Sequence, residues 1–314
     1  MRRFLKTAIC IMSMLIMITG CSSNNNEYVL KINDKPVSKG EFMVYLNEAK
    51  TNFESVGGTD IWETDFEGMT AEDVAKNRAV DALELVKISA DKAEEFQVSL
   101  SDEEKEQAKE QAKTKFDNLG EYAKEAGITL SDVESVMNEQ MLYSKVYNKI
   151  TDDFEASEAD FNAYFETVKS DFMDYYKQYT IKSIFVTDYS KAEEIVSKYN
   201  SGTDFDILFD EYEEQEGVKN ELQTTYKGIL ESFFGVNFDV EVGNITSILE
   251  NDGGYYIIKV ENIVNDSEEN IKEMAKYVYT NDMKQEIFTN EYQKWSENAN
   301  IEKNEEVFNS IKIK

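Results

Sequence analysis

The sequence predicts an α+β protein that is mostly helical, with a small α+β module between residues 179 and 262. Three features predict this. Capping signals of the form Ser or Thr followed three residues later by Asp or Glu recur: Ser38 with Glu41, Thr70 with Asp73, Ser101 with Glu104, Ser131 with Glu134, and Ser157 with Asp160. Two alternating runs, Tyr179-Thr-Ile-Lys-Ser-Ile-Phe-Val186 and Gly253-Gly-Tyr-Tyr-Ile-Ile-Lys-Val-Glu261, carry the β-branched and aromatic residues of half-buried strands. Pro36 is the single proline of 314 residues, which suits long uninterrupted helices.

Taken in order, residues 1–20 read as an export signal. Arg2, Arg3 and Lys6 form a positive start, and Ala8 to Ile18 form an apolar stretch too short to span a bilayer. Ile18-Thr-Gly-Cys21 then resembles a bacterial lipobox, in which Cys21 would carry the lipid and become the mature N-terminus. An ordinary secretory signal cleaved nearby is the alternative. Residues 21–27, with Ser22-Ser-Asn-Asn-Asn26, read as a polar tether. Two acyl chains, at about 0.8 kcal/mol per buried CH₂, would anchor the chain stably.

Removing the three basic residues of the signal takes the formal net charge from −30 to −33. Binding to nucleic acid or to anionic lipid surfaces by charge is therefore not expected, since phosphate recognition needs clustered Lys and Arg. Cys10 and Cys21 are the only cysteines, so the mature chain has no pair for a disulfide. Histidine is absent, which excludes Ser-His and Cys-His nucleophile systems and His-ligated zinc. No Gly-rich phosphate loop or calcium-loop spacing occurs, so neither metal nor cofactor is expected.

The next segment, Tyr28-Val-Leu-Lys-Ile-Asn-Asp-Lys-Pro-Val37, reads as a strand pair turning at Asn33-Asp34 and feeding a helix with Phe42, Tyr45, Leu46 and Ala49 on one face. Later helices show Val133, Val136, Met137 and Met141 on one stripe and Phe161, Tyr164, Phe165, Val168 and Phe172 on another. Gly57-Gly58 and Gly120 mark connections, and Trp62 and Phe66 of the 54–69 loop are expected to pack back on the core. Inside the module, Ala192, Ile195, Val196 and Tyr199 share one helical face and Phe205, Leu208, Phe209 and Tyr212 another, with Asn200-Ser-Gly202 between them. From Ser267 to about Ala299 a further helix carries Ile271, Met274, Val278, Ile287 and Trp295, and must bury that stripe somewhere.

Four fragments in order carry a resemblance: Ser-Ile-Phe-Val at 183 to 186, Gly202-Thr-Asp-Phe205, Phe238-x-Val-x-x-Gly243-x-Ile-Thr246, and Gly254-Tyr-Tyr-Ile-Ile-Lys259. Together they resemble the parvulin family of peptidyl-prolyl isomerases, in the form found in extracytoplasmic foldases of the PrsA and SurA kind. The 28–37 strand pair and the helices up to Ile150 look like the opening of a SurA-type chaperone domain. The resemblance implies a SurA-like helical domain over 28–178, an inserted parvulin-like domain over 179–262, and C-terminal helices over 263–314 that complete the first domain.

It also implies positions for a site, and these depart from the family. Ser183 and Tyr256 stand where the family presents histidines, and Gln215 where it has Asp or Cys. Asn251 replaces a threonine, and 217–227 reads Gly-Val-Lys-Asn-Glu-Leu-Gln-Thr-Thr-Tyr-Lys in place of a glycine-rich segment. The apolar proline pocket maps to Ile229 and Phe233 or, one residue along, to Leu230 and Phe234. Twisting an X-Pro bond over a barrier of about 18–20 kcal/mol breaks no bond, so an apolar grip and hydrogen bonds to the twisted amide are what the chemistry needs. Isomerase activity is expected to be weak or lost.

The expected function is a lipid-anchored, extracytoplasmic folding factor on the outer face of a Gram-positive membrane, holding unfolded or newly secreted proteins through Phe, Tyr and Met surface. An active isomerase and a dedicated assembly lipoprotein remain the alternatives. The sequence sets no oligomeric state.

Overall fold

A computed structural model describes residues 28–213, 218–251 and 253–313. The chain is α+β and mostly helical, and its contacts divide it into two compact units, one of residues up to Asp152 with Phe288 onward, the other Asp153–Ile287. Signal, tether, Cys21 and Gln215 lie outside the described residues.

The first unit opens on strands β1 (Tyr28–Ile32) and β2 (Lys35–Ser38), an antiparallel hairpin. Asn33 and Asp34 turn it with φ of 51° and 65°. Both values are left-handed, as the tight two-residue turn of a right-twisted hairpin requires. Helix α1 (Lys39–Gly57) follows with the expected capping box between Ser38 and Glu41. A 3₁₀ turn at Thr59–Glu63 and the strands β3 (Asp65–Phe66) and β4 (Met69–Thr70) make a small excursion. Here Trp62 stacks on Phe53 at 5.7 Å and Phe66 meets the same ring edge-on, so both aromatics do fold back.

Helices α2 (Ala71–Asp91) and α3 (Asp102–Ala126) begin at the expected caps, Thr70 and Ser101. Helix α4 (Leu130–Thr151) does not: its N-cap is Thr129, in a capping box with Asp132, rather than Ser131 with Glu134. Asp132 also accepts from the Ser38 hydroxyl at 2.6 Å, which joins the starts of α1 and α4. A Cβ on Gly40 would fall 2.2 Å from that carboxylate, so the two helix ends meet only over glycine. Phe42, Leu46, Leu83, Ile88, Val133 and Val136 are fully buried in this core. Inside it Lys87 bridges Glu41 at 3.3 Å and Glu139 at 2.7 Å.

The second unit starts with helix α5 (Glu158–Tyr175), capped by Ser157 as expected. Strand β5 (Gln178–Val186), helices α6 (Tyr189–Asn200) and α7 (Phe205–Tyr212), strand β6 (Val218–Tyr226), helix α8 (Lys227–Phe234), and strands β7 (Leu249–Asn251) and β8 (Gly254–Val264) follow. The sheet runs β6-β5-β8-β7 and is antiparallel throughout. The two alternating runs are thus its central pair, flanked by two further strands that the alternation signal did not mark.

Helix α9 (Glu268–Ser296) lays Ile271 and Ala275 against Phe161 and Phe165 of α5 within the second unit. From Phe288 on, the chain belongs to the first unit: Phe288 and Trp295 join its core, strand β9 (Ile301–Lys303) pairs with β1, and α10 (Glu305–Ser310) buries Val307 and Phe308. The contact boundaries therefore fall at 152/153 and 287/288, so α5 and the start of α9 accompany the sheet.

Candidate functional site

Alternation along β5 and β8 gives the sheet two different faces. Ile184, Val186 and Ile257, all fully buried, point toward α6 and α7, where Ala192, Ile195, Phe205 and Leu208 cover them. Ser183, Phe185, Tyr256 and Ile258 point the other way, because Ser183 pairs with Ile258 and Phe185 with Tyr256. Helix α8 covers part of that second face through Leu230 and Phe234, together with Phe238 from the following loop.

The two positions matched to family histidines, Ser183 and Tyr256, therefore share one face. Ser183 is 5% exposed, between Ile181 and Phe185 along the strand. The Tyr256 ring sits within an aromatic cluster, with Phe185 at 4.8 Å, Phe234 at 5.2 Å and Phe233 at 5.8 Å between centroids. Phe233 and Phe234 meet edge-on at 4.8 Å. Such tilted and edge-to-face pairs contribute roughly 0.5–1.5 kcal/mol each beyond burial. The cluster needs Gly254, since a Cβ there would come 2.1 Å from a Phe185 ring carbon.

Both readings of the pocket map to α8, and the helix separates them. Leu230 is 4% exposed and belongs to the core under the sheet, whereas Ile229 and Phe233, four residues apart, are 47% and 40% exposed. Residues four apart share a helical face, so Ile229 and Phe233 form one apolar stripe open to solvent. Val236 is 41% exposed just after the helix. Asn251, at the end of β7, donates its side-chain amide to the Phe233 carbonyl and ties the helix end to the sheet.

The helix is fixed at both ends. Gly235, at φ 65°, closes it in a left-handed C-cap. At its start, Lys227 is buried and reaches Asp174 at 2.5 Å, Glu231 at 3.0 Å and Asp239 at 3.2 Å. Burial works to lower the pKa of this ammonium group, but hydrogen bonds to Asp174, Glu231 and Asp239 outweigh it and raise the value. The Asp174 carboxyl is held below its ordinary value by Lys177 and Lys227, and that of Asp239 by Asn237 and Lys227. Gly228 lets the Tyr175 ring approach; a Cβ there would fall 1.9 Å from it.

Sequence reading gave a site role to Ser183, Tyr256, Ile229, Leu230, Phe233, Phe234 and Asn251 and none to Phe185, Gly254 or Lys227, although Phe185 and Gly254 lie in the fragments that carry the resemblance. Phe185 was recoverable, because a strand residue two beyond Ser183 must face the same side. Lys227 carried no signal: its importance comes from Asp174, 53 residues away.

No protein-family model matches the chain. A protein named foldase PrsA from Caldanaerobacter subterraneus subsp. tengcongensis is 23% identical over 324 residues, covering 100% of this chain and 99% of the relative. Foldase protein PrsA 4 of Bacillus cereus is 31% identical over 207 residues, covering 64% of this chain and 66% of its own length. Among solved structures, the foldase PrsA of Streptococcus pneumoniae aligns at 16% identity and a TM-score of 0.41, over 69% of this chain and 83% of that one. A SurA-like chaperone of Campylobacter jejuni aligns at 16% and 0.37, over 88% and 99%. The likeness in kind rests on the sequence relatives.

Proposed function

On the premise that this chain is a PrsA/SurA-like foldase, which its full-length match to a PrsA foldase carries, we propose that it holds extracytoplasmic polypeptides during folding without efficient proline isomerisation. The observation that supports the second half is the packing of Tyr256. This residue stands at a position matched to a family histidine, as Ser183 does at the other, and its ring lies among Phe185, Phe233 and Phe234. Catalysis of X-Pro rotation rests on hydrogen bonds that strengthen as the amide twists. Apolar contact with these rings does not by itself distinguish the planar from the twisted amide, and uniform binding does not lower a barrier.

The first half draws on the exposed stripe of Ile229, Phe233 and Val236, which offers apolar surface on a helix fixed at both ends. Clients are unfolded or newly secreted proteins, which present apolar side chains in water. Lipidation at Cys21 would keep the chain at the outer face of the membrane. No described helix is long and apolar enough to cross a membrane. The parvulin-like module over 179–262, the SurA-like first part over 28–178 and its C-terminal completion over 263–314 are the domains of this reading.

The test is suppression of aggregation of several unrelated, chemically unfolded proteins by residues 22–314. Suppression across all of them, weakened in Phe233→Ala with thermal stability lowered by no more than a few degrees, is the expected outcome. Tight binding to a single protein without general suppression would replace the reading with a dedicated assembly factor.

A further inference from the structure

Sheet edges expose backbone donors and acceptors, and proteins blunt them with short strands, proline, bulges or charge. Three of the four edges in the two larger sheets follow that rule. Strand β2 has four residues including Pro36, and β9 and β7 have three each. Strand β6 does not. It runs nine residues, Val218–Tyr226, paired to β5 in nine consecutive steps with no register shift. It contains no proline, and Lys219 and Glu221 are its only charged residues. At its centre Leu222 is 60% exposed. Among the described residues, no backbone hydrogen bond leads from its outer side to another segment.

We propose that the free edge of β6 is a docking site for an extended, neutral-to-cationic stretch of unfolded polypeptide, added as a further antiparallel or parallel strand. This rests on the foldase reading and names how part of a client is held. In a strand every second residue turns its N–H and C=O outward, so an edge about 30 Å long offers a ladder of hydrogen bonds that reads no side chain. That suits a protein that must accept many sequences. Charge selects among the possible occupants. The chain carries a formal charge of −30, so a second copy brought edge to edge is repelled, while a segment bearing Lys or Arg is attracted. Every second side chain of an added strand would continue the sheet face of Lys219 and Glu221, the same face as Ser183 and Phe185, because Glu221 pairs with Ser183 and Lys219 with Phe185.

Hydrogen exchange on residues 22–314 tests this, with a nonapeptide of alternating Val and Lys and the same peptide N-methylated at alternate amides. N-methylation removes donors along one edge and leaves the side chains in place. Expected are slowed exchange confined to 218–226 and binding weakened more than roughly tenfold by N-methylation in one of the two alternations. Equal binding by every N-methylated form, or protection at 229–236 instead, would overturn the proposal. So would protection of 218–226 that rises with protein concentration in the absence of peptide, which would make the occupant a second copy. Suppression of client aggregation, measured on the same samples, separates the two readings. If it persists without protection of β6, the edge proposal alone falls; if it is absent, the foldase reading falls.

Discussion

The two faces of the four-stranded sheet are made by alternate residues of the same strands, and they have been finished differently. On one side Ile184, Val186 and Ile257 are sealed under two helices, and farther along that face Lys182 and Lys259 are ion-paired to Asp206 of α7. On the other a single eight-residue helix covers only part of the sheet, a small polar residue sits at Ser183, and aromatic rings collect around Tyr256 at the C-terminal end of the helix. The first face is built for stability. The second keeps apolar area in reach of a partner, held in place by Lys227, Asn251 and Gly254 rather than by depth of packing.

The sharpest way to break this comparison is to truncate both faces. Ile257→Ala on the sealed face should lower unfolding free energy by about 3 kcal/mol, as buried Ile-to-Ala changes do. Phe233→Ala on the open face should cost about 1 kcal/mol or less and instead reduce suppression of client aggregation, since its ring is 40% exposed. Urea titration of both variants checks the split. Equal losses would show that the open face is core after all.

Gly254→Ala probes the support of the open face. The added methyl has to displace Phe185, and overpacking of this kind costs about 1–3 kcal/mol. Near-ultraviolet circular dichroism should report loosened aromatic packing at Phe185 and Tyr256, with the far-ultraviolet signal unchanged.

A smaller effect is expected from Lys227→Met, about 1.5 kcal/mol, because the carboxylates left behind are partly open to water. Its pH dependence has a defined sign. Asp174 and Asp239 have depressed folded-state pKa values, so the stability they contribute is present above their unfolded value of about 3.9 and is lost as pH falls through the folded values. The folded-state value of Lys227 is raised, so its share is fully present below its unfolded value of about 10.4 and fades only above it. The gap between wild type and Lys227→Met in urea should therefore shrink between pH 5 and pH 2.5. A constant gap would mean that Lys227 acts through packing alone.

Much of this architecture was legible because it is written locally. A side chain that caps its own helix three residues on, as at Ser38, Thr70, Ser101 and Ser157, leaves a mark in any sequence. The Asn33-Asp34 turn does the same. At α4 two overlapping cap patterns competed, and Thr129 prevailed over Ser131, with Asp132 also bound to Ser38 from 94 positions away. Long-range pairing was the silent part. Strand β6 reads as polar and unpatterned because none of its residues is fully buried and, among the described residues, no strand pairs with its outer edge, and β9 is three residues whose partner lies at the other end of the chain. The same holds for the site. The aligned positions Ser183 and Tyr256 could be located by resemblance, but the rings that surround Tyr256 are set by register and by the turn of α8.

The account stands most directly on one measurement: the exchange rate of X-Pro bonds in a set of peptides, with residues 22–314 and with a Phe233→Ala, Phe234→Ala double variant. Uncatalysed exchange takes tens to hundreds of seconds at 25 °C, so even modest catalysis is visible. The prediction is the uncatalysed rate with both proteins, while the unaltered chain still suppresses client aggregation. Acceleration that disappears in the double variant would contradict it and make the open face a working, histidine-free isomerase site.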